Sequence, residues 1–86
     1  MPLKVSLVSA EQEIWSGQAS LVIAKTVEGE IGVMTGHEPL LAILASGQVR
    51  ITQEDGTKLV ADAEDGFVSF DQNEMTIVAG NAALVS

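Results

Sequence analysis

Any imidazole chemistry in this chain must fall to His37, the only histidine among 86 residues. A hydrolytic triad needs that ring held between a nucleophile and a carboxylate, yet no G-x-S-x-G elbow accompanies it. His37 lies instead in the run Gly36-His37-Glu38-Pro39, where hydrogen bonding to backbone or to a partner suits it better than proton shuttling. One histidine without any cysteine cannot make a conventional zinc site, and D-x-D-x-D-G calcium spacing is missing. No metal and no cofactor is expected. The segment Gly29-Glu30-Ile31-Gly32 has a glycine spacing suggestive of a phosphate loop, but no lysine or serine follows at Walker spacing and its glutamates repel anions. Glu28 and Glu30 could serve acid–base chemistry, although a solvated loop flank is the commoner use of such a pair. Glu54-Asp55 and Glu64-Asp65 read as ordinary turn residues.

These residues concentrate in one block, residues 28–41, reading E-G-E-I-G-V-M-T-G-H-E-P-L-L. Gly29, Gly32 and Gly36 can each take positive φ, while Pro39 fixes its own φ and biases Glu38 toward extended backbone. The expectation is a moulded surface loop.

Eighty-six residues leave room for one core, so residues 1–86 form a single domain. A hydrophobic content of 47% can fill that core. With only Trp15, Phe67 and Phe70 aromatic, Val, Ile, Leu and Ala must build most of it. The formal charge of −8 disfavours nucleic acid and anionic lipid as partners. The lack of cysteine fits a reducing compartment. No apolar stretch approaches the roughly 20 residues needed to span a bilayer, so a soluble protein without membrane insertion is expected.

Leu3, Val5 and Leu7 alternate with polar neighbours, and Ala19, Leu21 and Ile23 repeat the period of two. Between these runs, Ser9 to Gln12 reads as a turn and Gly17 as a strand end. Val49 and Ile51 precede Glu54-Asp55-Gly56, after which Leu59, Ala61 and Ala63 resume alternation, a hairpin signature. Asp65-Gly66 and Gln72-Asn73-Glu74 read as further turns, and Asn81 to Ser86 as a terminal extension. Pro39 to Leu44 reads as an irregular apolar connection, with Trp15, Leu40, Leu41 and Leu44 in the core. The sum is an all-β fold, a flattened β-sandwich of about eight short, mostly antiparallel strands.

Ala24-Lys25-Thr26-Val27-Glu28 resembles the segment around the modified lysine of lipoyl carrier domains, which are also small acidic β-sandwiches. That resemblance implies a lipoyl or biotinyl arm on Lys25, although such domains set the lysine at a hairpin tip, usually after aspartate. An adhesive β-module is a third reading. A stronger likeness spans nearly the whole chain. The block 28–41 resembles the E-G-E-x-G-x-x-x-G-H-x-P-L-L loop of the epsilon subunit of F-type ATP synthases, called delta in mitochondria. Leu7-Val8-Ser9-Ala10-Glu11 with Ile14-Trp15-Ser16-Gly17, then Gly47-Gln48-Val49-Arg50-Ile51, Gly66-Phe67-Val68 and Met75-Thr76-Ile77-Val78-Ala79 resemble further family motifs in the same order.

The resemblance implies a non-catalytic rotor subunit in the central stalk, linking gamma to the c-ring and coupling proton translocation to ATP synthesis. It places Glu28, Gly29, Glu30 and Ile31 against the c-ring and Ser9, His37 and Thr76 against gamma. It also implies a peripheral location on the cytoplasmic face of a bacterial plasma membrane. Thr35, Lys25-Thr26-Val27, Asp65 and Gly80 depart from the family pattern. The family's C-terminal helical hairpin, which carries nucleotide sensing and inhibition, has no counterpart in these residues, so neither role is expected of them. A natural short form and a part of a longer chain both fit the sequence.

Overall fold

A computed structural model describes residues 2–85, leaving Met1 and Ser86 of the expected domain outside the described residues. Every element is a strand: β1 (Leu3–Ser9), β2 (Glu13–Thr26), β3 (Gly29–Met34), β4 (Leu40–Leu44), β5 (Gly47–Gln53), β6 (Lys58–Asp71) and β7 (Glu74–Leu84). The seven strands join one hydrogen-bonded sheet that folds over on itself. Pairings β1–β2, β2–β5, β5–β6, β6–β7 and β7–β1 close a ring, the last of them parallel. β3 extends the ring from β2, and β4 from β6.

Two layers result. One runs β4, the second half of β6, the first half of β7, β1 and the first half of β2. The other runs β3, the second half of β2, β5, the first half of β6 and the end of β7. The long strands β2, β6 and β7 therefore belong to both.

Each shared strand turns over where it passes between layers, because both layers must present apolar side chains to one interior. In β6, Ala61 and Ala63 face inward before the crossing, and Val68 and Phe70 after it. The change of parity falls at Asp65, which takes the left-handed conformation (φ 59°) opposite Gly80 of β7. In β2 the inward set shifts from Ala19 to Val22 and Ala24 across an irregularity between Ala19 and Leu21. The expected inward pair Leu21 and Ile23 is consequently half-buried on the other face.

The expected breaks at Gly17 and at Asp65-Gly66 are thus continuous strand. Gly17 pairs with Val5, and the Trp15 ring covers the place a Cβ would occupy. Trp15 itself is half-buried against the core. That continuity explains why seven strands stand where about eight shorter ones were expected. The stretch expected as an irregular connection after Pro39 is strand β4, paired from Leu40–Phe70 to Leu44–Gly66. β7 also runs well into the supposed extension, with Ala82 to Leu84 paired to β6.

The core is Leu3, Val5 and Leu7 with Val22, Val33, Val49, Ile51, Val68, Met75, Ile77 and alanines, around Phe70 as its one fully buried aromatic ring. The hairpin turn at Asp55-Gly56 is as expected. Gly56 adopts φ 90°, and Thr57 N–H donates to Asp55 Oδ1 at 2.9 Å.

A methyl group on Gly66 would land on the Val78 carbonyl oxygen, which is backbone and cannot yield. Gly66→Ala is expected to cost about 3 kcal/mol or more in a urea melt. Asp65→Gly relieves the left-handed strain and should stabilise by about 0.5 kcal/mol after the larger unfolded-state entropy of glycine is subtracted. The Thr57 amide holds the Asp55 carboxyl below the usual carboxylate range. Its contribution is present above the unfolded value and is lost as pH falls through the lower folded value, so Asp55→Asn should remove that part of the acid dependence of stability.

Candidate docking surfaces

The block expected as one loop divides into three parts. Residues 29–34 form strand β3, residues 35–39 are loop, and β4 begins at Leu40. Gly29 (φ 126°) and Gly36 (φ 88°) use the left-handed region, whereas Gly32 sits within the ladder opposite Ile23.

Val27 and Glu28 make the two-residue tip between β2 and β3. Thr26, only 4% exposed, builds this tip from inside: its hydroxyl donates to Gly29 O at 2.7 Å and accepts from Glu28 N–H at 3.2 Å. Two further bonds, Val27 N–H to Ile43 O (3.0 Å) and Ala45 N–H to Lys25 O (2.9 Å), tie the hairpin end to β4. Glu28, Gly29 and Glu30 are exposed on this braced tip, while Ile31 packs partly against the core. Of the four residues expected at the c-ring, three are open to a partner and the fourth supports them.

Lys25 is not at the tip. It lies in β2 opposite Glu30, with its aliphatic stem over Gly47. A carrier lysine must swing freely from a turn, and a side chain laid along the sheet from within a strand does not. The carrier reading finds no support.

His37 lies at the far end of β3, roughly 16 Å from the tip at the usual rise per strand residue. Its amide donates to Met34 O at 3.1 Å, and its exposed ring meets the buried Phe70 edge-on, centroids 5.8 Å apart at 89°. Nδ1 sits 2.6 Å from Glu38 O. A carbonyl oxygen only accepts, so in the neutral ring Nδ1 carries the proton and Nε2 is left as an acceptor. Across the loop, Gly36 N–H donates to Asn73 Oδ1 at 3.0 Å.

The residues expected at gamma do not converge on a point. Ser9 spends its hydroxyl on its own turn, donating to Gln12 O at 3.2 Å and accepting from the Gln12 amide at 3.3 Å. It pairs with Ala79, whereas His37 neighbours the β6–β7 turn at the other end of the layer. Thr76 lies between them on the outer face, and its surroundings form a surface that the sequence reading missed.

Two rows of side chains cross that face. Ile43, Phe67, Val78 and Val8 are in register in one row, and Leu41, Ser69, Thr76 and Ser6 in the next. Leu41, expected in the core, is 75% exposed, with Ile43 at 62% and Phe67 at 42%. Neither row carries a charge, although the chain has 12 acidic residues. Charge begins at their borders, with Lys4, Glu74 and Asp71 in the next row of the same face and Glu13 beside Val8, and further carboxylates lie on the opposite layer at Asp62 and Glu64. The signal for this face was present in L-L-A-I-L, where both parities are apolar: one faces the core and the other must face outward.

Residues 2–85 match the family model described as "ATP synthase, Delta/Epsilon chain, beta-sandwich domain". A protein named ATP synthase epsilon chain from Corynebacterium diphtheriae is 55% identical over 78 residues, covering 90% of this chain and 63% of that protein. Its namesake from Streptomyces coelicolor is 50% identical over 82 residues, covering 95% and 66%. The chain thus spans just under two thirds of the length of these relatives. Among solved structures, a chain of the Euglena gracilis mitochondrial ATP synthase, determined as an OSCP/F1/c-ring assembly, superimposes with a TM-score of 0.91 at 25% identity, covering 96% of this chain and 53% of that one. With the family model matching the full described length and relatives at 50% identity or more, this chain belongs to the beta-sandwich domain family of ATP synthase delta/epsilon chains.

Proposed function

We propose that the chain is a non-catalytic rotor component of an F-type ATP synthase, seated between gamma and the c-ring so that proton translocation is coupled to ATP synthesis. The observation that carries this reading is the pair of uncharged rows around Thr76, bordered by charged residues, on an otherwise acidic body. A flat patch of alternating apolar and hydroxyl rows suits a stable protein interface, because desolvating it costs little and its hydroxyls can still bond across it. We assign that face, with His37 at its margin, to gamma.

The second contact is of a different kind. The β2–β3 tip presents Glu28 and Glu30 on a braced turn, which suits basic polar loops of the c-ring. Ser9 acts through the turn it caps rather than through a free hydroxyl. The complex would lie peripherally at the cytoplasmic face of a bacterial plasma membrane. No helix among the described residues is long and apolar enough to cross a membrane.

Torque transmission asks for stiffness between two contacts, and strands shared by both layers supply it. Ile43→Asp and Phe67→Asp, at exposed positions, should leave the melting curve nearly unchanged yet weaken gamma binding by roughly a hundredfold, since each buries an unpaired carboxylate. Titration calorimetry against isolated gamma reads this directly, and wild-type-like affinity in both variants would overturn the assignment. Reversing Glu28 and Glu30 to lysine should retain gamma binding while lowering recovery of the c-ring with the gamma complex. Unchanged recovery would rule out the charge pairing.

A further inference from the structure

We infer that Asn73 is a positioning residue that holds His37 in its binding-ready place, an inference resting on the reading that His37 meets gamma. Asn73 occupies the β6–β7 turn in the left-handed conformation (φ 62°), which asparagine tolerates better than most residues. Its two polar ends act on separate parts of the chain. The backbone carbonyl accepts from Lys4 N–H at 2.8 Å and starts the parallel β1–β7 ladder. The side-chain oxygen accepts from Gly36 N–H at 3.0 Å, a bond spanning 37 positions of sequence.

The loop it holds lies outside the strand ladders. Gly36 has φ 88° and nothing within 4 Å of where a Cβ would lie, and residues 35–39 contribute no ladder pairing. The His37 amide reaches only back to Met34, within the same turn. The bond to Asn73 Oδ1 fastens this turn to the opposite hairpin next to the point where the His37 ring rests on Phe70, with Nε2 of the neutral ring available as an acceptor. Fixing the ring beforehand spares the complex the entropy of ordering the loop. The group recognised at Nε2 is by the same geometry a donor: an amide, a hydroxyl or a cationic side chain of the partner.

Asn73→Gly separates the two roles, since glycine keeps the left-handed backbone and the carbonyl bonded to Lys4 but deletes the side-chain acceptor. Asn73→Asp keeps an acceptor oxygen and serves as the conservative rescue. In the chain alone, hydrogen exchange followed by NMR should show the Gly36 amide exchanging about three- to tenfold faster in the glycine variant. The Lys4 amide and the melting temperature should stay unchanged, and the aspartate variant should recover Gly36 protection. Unaltered Gly36 exchange would overturn the inference.

With gamma, Asn73→Gly should weaken affinity about three- to tenfold in the wild-type background and have no additional effect when combined with His37→Ala. An equal loss in both backgrounds, or none in either, would show that Asn73 does not act through His37. If the unmodified chain fails to bind gamma, the functional assignment fails, while the exchange result still decides whether the latch exists.

Discussion

The structure depends on one geometric requirement: a strand that serves two facing layers must exchange its inner and outer sides on the way. Side chains of a strand alternate strictly, so the exchange requires a local break in the period. In β6 a single left-handed residue, Asp65, provides it, and Gly80 of β7 leaves room opposite. In β2 a register irregularity after Ala19 does the same. The buried alanines Ala61, Ala63 and Ala79 flank the β6 and β7 crossings. Gly66 completes the set by letting the two hairpin backbones touch.

This arrangement relates the docking regions to each other. The hairpin tip hangs from the second half of β2, the uncharged rows run across β4, the second half of β6, β7 and β1, and the bonds of Val27 and Ala45 join the tip to the end of β4 directly. No linker or hinge intervenes among these elements. A displacement imposed on the face is carried to the tip through ladder hydrogen bonds instead of through a loop.

Much of this was legible in the sequence because it is written in local chemistry. Alternation in Leu3, Val5 and Leu7 and in Val49 and Ile51 named core positions correctly, and Asp55-Gly56 and Gln72-Asn73 marked real turns. Ordered motifs identified the family. What escaped was set by neighbours distant in sequence. Asp65-Gly66 and Gly17 look like breaks until a partner strand is laid beside them. Leu21 and Ile23 follow the right period with the wrong phase, because the shift before them comes from the crossing. Leu41 is apolar enough to suggest core, whereas only its pairing with Ser69 reveals which way it points. The composition around Lys25 resembles a carrier segment, but the turn itself lies beyond it at Val27 and Glu28. The bond from Gly36 to Asn73 has no trace in either local segment.

The parallel β1–β7 ladder has a further bearing on how the molecule comes into being. Its two partners come from opposite ends of the described chain, and Leu3, Leu7, Met75 and Ile77 fill the same interior. Until β7 has been synthesised, β1 lacks one neighbour and the barrel-like ring stays open, with its apolar lining exposed to water. Nascent polypeptide on the ribosome therefore gains little by condensing early, and the transition to the finished body is expected to be abrupt, late and slow, as befits a topology dominated by non-local pairings.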